Sequence, residues 1–135
     1  MALATARLSN YRQAPRKVRL VADSIRGKSV PEALALLALQ PKRASLPLAK
    51  LLRSAASQAK ERGENPDTLF ISRITVDKGI VLRRFMPRAR GSSSPILKRS
   101  SHVVIDLDAQ KQSAKKRRTR GADPKGLAKE APPAA

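Results

Sequence analysis

Residues 83–99, RRFMPRARGSSSPILKR, constrain this chain more than any other stretch. Two prolines and a Gly-Ser-Ser-Ser run break any helical period. Six cations stand there without an acid, and the acid-free window runs from residue 78 to 105 in a chain that holds ten Asp and Glu. The flanking segments IVLRRFM and PILKRSSHVVIDL are rich in β-branched residues and read as strands. Two such arms around RARGSSS make a hairpin. The roughly ten residues from Gly79 to the tip cover about 30 Å at about 3.3 Å per residue, longer than a small domain needs. Arg83 and Arg84 put a cation on each face, whereas a hairpin lying on its own domain shows one apolar face. The rest of the chain must form a compact body from which this arm projects.

That body is legible upstream. Residues 2–12 read as extended and then turning. Ala14-Pro15 opens a first helix, because proline fits the first turn. Val18, Val21, Ala22 and Ile25 fall on one face, Arg16, Arg19 and Arg26 look outward, and Gly27 is a stop signal. SVPE, residues 29–32, reads as a capping box with Ser29 as N-cap, followed by a short apolar face of Val30, Ala33, Leu34, Leu37 and Ala38. Beyond Pro41 a third helix carries Leu48, Leu51, Leu52, Ala55 and Ala59. Pro47 either marks its first turn or kinks it at the start. ERGENPDT turns the chain, and LFISRITV, residues 69–76, reads as a strand. The expected fold class is α+β: three helices packed on a small antiparallel sheet, with a long projecting β-hairpin. Residues 1–108 are read as one domain that includes the hairpin at 78–102. Residues 109–135, with KKRRTR and a terminal EAPPAA, lack the apolar content to offset ordering entropy and read as a disordered basic tail.

The formal net charge of +19 opposes compaction and calls for a polyanion. With no Cys and one His, His102, zinc fingers, two-His metal sites and Ser-His-Asp triads are excluded. The acids are scattered, so no enzyme constellation is visible. No apolar run reaches the roughly 18 residues of a membrane span. A surface-bound helix would need bulkier anchors than these Ala/Leu/Val stripes. A histone-like compaction protein would spread its cations along helices. The first residues faintly resemble a transit peptide but are used by the fold, so the chain reads as cytoplasmic.

Arginine dominates the hairpin, as Arg83, Arg84, Arg88, Arg90 and Arg99, beside Lys78 and Lys98. Its planar fork matches phosphates and base edges. With only Tyr11, Phe70 and Phe85 as aromatics, few rings are available for base stacking, which disfavours a single-strand platform, and recognition of folded RNA by shape and phosphate contacts fits better. An isolated hairpin is marginal in water, and like-charged neighbours weaken it further. RNA phosphates are therefore expected to order it.

Three stretches carry a family resemblance: PRKVRLVADSIRGKSVPEAL at 15–34, KLLRSAASQAKERG at 50–63, and DKGIVLRRFMPRARGSSSPILKRSSHVVI at 77–105. Together they resemble the large ribosomal subunit protein twenty-two family in its bacterial form. The resemblance implies a structural constituent of the large subunit that binds rRNA, aids assembly, and lines the nascent-peptide exit tunnel with its hairpin tip. It implies no enzyme activity, no cofactor and no metal. The implied partners are large-subunit rRNA, neighbouring ribosomal proteins and the passing nascent polypeptide, for a monomer within the ribosome. The implied rRNA-binding set is Arg7, Arg12, Arg16, Lys17, Arg19, Arg26, Lys28, Lys78, Arg83, Arg84, Arg88, Arg90, Lys98, Arg99 and His102. The implied tunnel-lining tip is Arg88, Ala89, Arg90, Gly91, Ser92 and Ser93. Ser92-Ser93-Ser94-Pro95 departs from the family, which often carries further Arg and Asp there.

Overall fold

The computed structural model of the protein describes residues 3–109. The chain order is β1 (Ala4–Tyr11), α1 (Pro15–Ile25), α2 (Val30–Leu39), α3 (Ser45–Glu61), β2 (Leu69–Pro87) and β3 (Ser93–Ala109). The three strands form one antiparallel sheet in the order β1-β3-β2. The expected α+β architecture of three helices on a small sheet is what the chain adopts. The two strand segments read on either side of Asp77 are one strand, β2, which continues from the body into the arm. Ala109, placed with the tail on composition, instead closes β3 opposite Leu69. The rest of the proposed tail lies outside the described residues.

The helices cover one sheet face because the strands supply an apolar row there. Ala4 and Ala6 come from β1, and Val103, Ile105 and Leu107 from β3. Along β2 the buried positions are Leu69, Ile71, Ile74 and Val76, which breaks strict alternation between 71 and 74. A register shift between Ile71 and Arg73 inserts one extra residue there. It returns the second pair to the core face. Against this row α1 sets Val18, Val21, Ala22 and Ile25, and α3 sets Leu48, Leu52, Ala55 and Ala59, all buried. Each fully buried Leu, Ile or Val contributes about 1.5–3 kcal/mol relative to exposure. With few rings available, small residues bring α3 close to the sheet.

Pro47 sits in the first turn of α3, where its missing N–H is one of the unpaired four. In α2 only Val30, Ala33 and Leu37 are fully buried, and Ala38 is exposed. Ser29 is the N-cap of α2, but its hydroxyl points at the Glu32 carboxylate, 3.5 Å away, rather than at a backbone N–H. The cap position is right and the reciprocal bonding of a capping box is not formed.

The root of the arm is built from two bulges at one level of β3. Between Leu8 and Tyr11, β1 carries an extra residue against Val103–Ser101. Between Lys78 and Val81, β2 carries another against Ser101–Arg99. Asn10, in β1's bulge, has φ 55 and donates its backbone N–H to His102 Nδ1 at 3.1 Å. Ser100 Oγ donates to Ile80 O at 2.6 Å across the other bulge. β1 ends here, and β2 and β3 continue alone. Pro95 is tolerated in β3 because that strand has β2 as its one neighbour beyond Ser101.

Candidate nucleic-acid interface

The register of the arm fixes where its charges stand. Arg83 faces Leu97, Arg84 faces Ile96, Leu82 faces Lys98, and Val81 faces Arg99. Each of these four cations is therefore opposite an aliphatic residue, Lys78 faces Ser101, and no two cations are directly paired. The repulsion expected between like-charged neighbours is reduced by this arrangement, since directly opposed like charges are the costly ones. Cations stand on both faces, as expected of an arm surrounded by its partner. The aliphatic residues between them are also open: Ile80, Val81, Leu82, Met86, Ile96 and Leu97 are all exposed.

At the tip, Ala89–Gly91 forms one 3-10 turn. Arg90 and Gly91 both take positive φ, 57 and 71, a conformation glycine adopts without steric cost. Arg88 N–H donates to Ser92 O at 2.8 Å, and Ser92 Oγ donates to Ala89 O at 2.8 Å. Arg88 Nε donates to Ser94 Oγ at 3.0 Å. Ser92 and Ser94 thus lock the turn, which gives two residues of the serine run a structural role.

Below the arm the fold opens a groove of about 830 Å³. Five cations line it: Arg12 from the β1–α1 turn, Lys17 from α1, Arg43 from the α2–α3 link, and Lys98 and Arg99 from β3. Arg43 was absent from the residues singled out by sequence. Tyr11 holds it there, donating its hydroxyl to Arg43 O at 3.2 Å. A second groove, about 380 Å³, opens beside the same helix end and is lined by Arg16, Arg19, Lys78 and Arg99 among others. The N-terminus of α1 lies between the two, with no acid in its first turn and no side-chain cap. Cations at that end oppose the helix dipole, so stability is given up to hold positive charge there. Among the described residues the one ion pair is Arg26–Asp23, at 3.1 Å and exposed. No carboxylate among the described residues lines either groove.

Two further cations, Arg19 and Arg26, are used within the fold, and others stand apart from the grooves. Arg19 does not simply look outward: its Nε and Nη2 donate to Val76 O at 3.1 and 2.8 Å, tying α1 to β2. Arg26 Nη2 donates to Ile74 O at 3.3 Å. Lys28 lies on the α1–α2 link, whose backbone pairs with Ile71, away from the root of the arm. Arg7 is exposed on β1 opposite Val104. His102 is half-buried and accepts from Asn10. Arg19→Met is expected to lower stability by about 1.5–3 kcal/mol, the worth of hydrogen bonds to a charged group, less whatever solvent screening removes. Denaturant unfolding checks the loss.

An α+β body that sends out a cationic two-stranded arm, with no acid among the described residues lining the grooves at its root, has the build of a ribosomal protein. Sequence similarity says which. The family described as Ribosomal protein L22p/L17e matches residues 6–108. The chain is similar to the large ribosomal subunit protein uL22 of Herpetosiphon aurantiacus, at 47% identity over 106 residues, covering 78% of this chain and 94% of the relative. It is also similar to the protein of that name from Lactobacillus delbrueckii subsp. bulgaricus, at 52% over 103 residues, covering 76% and 88%. The Geobacter sulfurreducens protein of the same name is 44% identical over 110 residues, covering 81% and 98%. The chain belongs to the L22p/L17e family. It is a structural constituent of the large ribosomal subunit and not an enzyme.

Proposed function

We propose that this protein docks on large-subunit rRNA through the arm and both root grooves, aids subunit assembly as a monomer, and lines the nascent-peptide tunnel with residues 88–93. The observation that carries the RNA reading is the convergence of Arg12, Lys17, Arg43, Lys98 and Arg99 in one groove with no acid. Such a cluster is costly in a free protein and favourable against phosphates. Arg7, Arg16, Lys78, Arg83, Arg84, Arg88 and Arg90 extend the footprint. Lys28 contributes more distantly, Arg19 and Arg26 serve first as ties within the fold, and His102 holds the β1 bulge. The basic sequence of residues 110–135 follows a domain that Ala109 closes.

Arg83→Ala with Arg84→Ala should lower the slope of log affinity against log salt by about 1.4–1.8, at about 0.7–0.9 per lost phosphate contact. Binding of the full chain to a large-subunit rRNA transcript in a salt series measures it. An unchanged slope would remove these two residues from the interface. Deleting residues 88–93 removes Arg88 and Arg90, so it should lower the salt slope as well as alter macrolide response and nascent-chain stalling. If reporters for both stay unchanged, the tunnel role fails.

A further inference from the structure

Phe85 stands apart from the rest of the arm. It is the arm's one aromatic ring and is 77% exposed, against 64% for Ile80 at the root and 38–46% for Val81, Leu82, Met86, Ile96 and Leu97. The other two aromatics, Tyr11 and Phe70, are half-buried against the body. The register puts Pro95 directly opposite Phe85. On the same face of the strand pair lie Arg83 and Pro87, two residues either way along β2, and Leu97 diagonally across. The result is a raised ring on an apolar base, with a guanidinium on the neighbouring position and no acid from residue 78 to 105.

Open water is a poor setting for such a ring, and a purely aliphatic protein surface is a poor match for the cations around it. A nucleobase meets both demands. Its face stacks on the ring, and its phosphate remains within reach of arginine. We propose that Phe85 stacks on one unpaired base of the large-subunit rRNA, with Pro95 as the floor that holds the ring out. The proposal rests on the rRNA reading above and adds a recognition element that phosphate contacts cannot supply. One ring gives a single-base contact, not a platform for successive bases. It reads a splayed nucleotide, which a continuous duplex does not offer.

The chain contains no Trp, so Phe85→Trp introduces a sole tryptophan at the proposed contact. On titration of the full chain with a large-subunit rRNA transcript, its fluorescence should be quenched and its acrylamide accessibility should fall. Affinity should match or exceed that of the natural chain. Phe85→Leu keeps an apolar side chain without a π-face. It should weaken transcript binding by between about fivefold and a hundredfold, the range for losing one stacked base. Its salt slope should not change, and binding to a perfect RNA duplex should be unaffected. An affinity for the transcript that is unchanged by Phe85→Leu would overturn the stack and leave an aliphatic contact in its place. A blue-shifted, unquenched tryptophan would do the same. If the natural chain fails to bind the transcript at all, the rRNA reading falls, and the stack with it. The natural-chain titration separates the two failures. Exposure of the ring makes misfolding a weak rival explanation, and matched thermal unfolding curves for the variants check it.

Discussion

Replacing Arg12, Lys17, Arg43, Lys98 and Arg99 together by Gln is expected to cut rRNA affinity by a thousandfold or more, as an order of magnitude, at 0.1 M salt. The figure follows from counterion release: each phosphate contact contributes about 0.7–0.9 to the salt slope, so five remove roughly 3.5–4.5. The five residues reach one groove from four separate segments of chain, so the effect belongs to the tertiary fold and not to a basic run. Stability should behave in the opposite way. No described carboxylate pairs with these side chains, so neutralising them relieves repulsion. The unfolding midpoint should hold or rise. Lys50, Arg53 and Lys60, exposed along α3, provide the control. Their neutralisation should change affinity by far less per charge. Filter binding across a salt series, beside denaturant melts, measures both. Equal losses per charge at the two locations would mean that RNA senses net charge alone and that the groove has no special standing.

Much of this was readable from the chain because periodicity reports burial. Val18, Val21, Ala22 and Ile25 were placed on one face by spacing, and all four are buried. The arm was visible because cations, Gly and Ser cannot build a core. What local reading missed depends on contacts between distant residues. Arg43 lies in a link with no pattern of its own, and its place over the groove depends on a bond from Tyr11, 32 residues earlier. Arg19 looks like any solvated helix cation until β2 brings Val76 O beneath it. The capping-box spacing at Ser29 and Glu32 identified the helix start, but side-chain rotamers decided the bonding. The bulge after Ile71 left a trace in the broken alternation of apolar residues at 69, 71, 74 and 76. The bulges flanking Ser101 left none, since Gly79 and Asn10 each have many reasons to occur.

Gly79 carries the second large effect. A Cβ built there would stand 2.6 Å from Ser100 Oγ, 3.1 Å from His102 Nε2 and 3.2 Å from the Ser100 carbonyl carbon. Ser100 cannot easily yield, because its hydroxyl is tied to Ile80 O within the same bulge and the residue is buried. His102 is held on its other side by Asn10. The glycine is required by close approach, not by a left-handed φ. Gly79→Val should therefore cost about 1–3 kcal/mol through overpacking, with any further loss from breaking the Ser100 bond. The larger consequence is geometric. This bulge sets the direction in which β2 and β3 leave the sheet, and Phe85 and the tip lie well beyond it. A small change of angle at the root is multiplied along an arm of about ten residues, or roughly 30 Å. Incorporation into large subunits should fall more steeply than stability does. The double variant Gly79→Ala with Ser100→Gly removes the clashing hydroxyl, although it also gives up the bond to Ile80. It should incorporate better than Gly79→Ala alone. A double-mutant cycle on stability and on subunit incorporation measures the coupling. Strictly additive effects would show that the two residues do not press on one another, and the root would then owe its angle to the β1 bulge at Asn10.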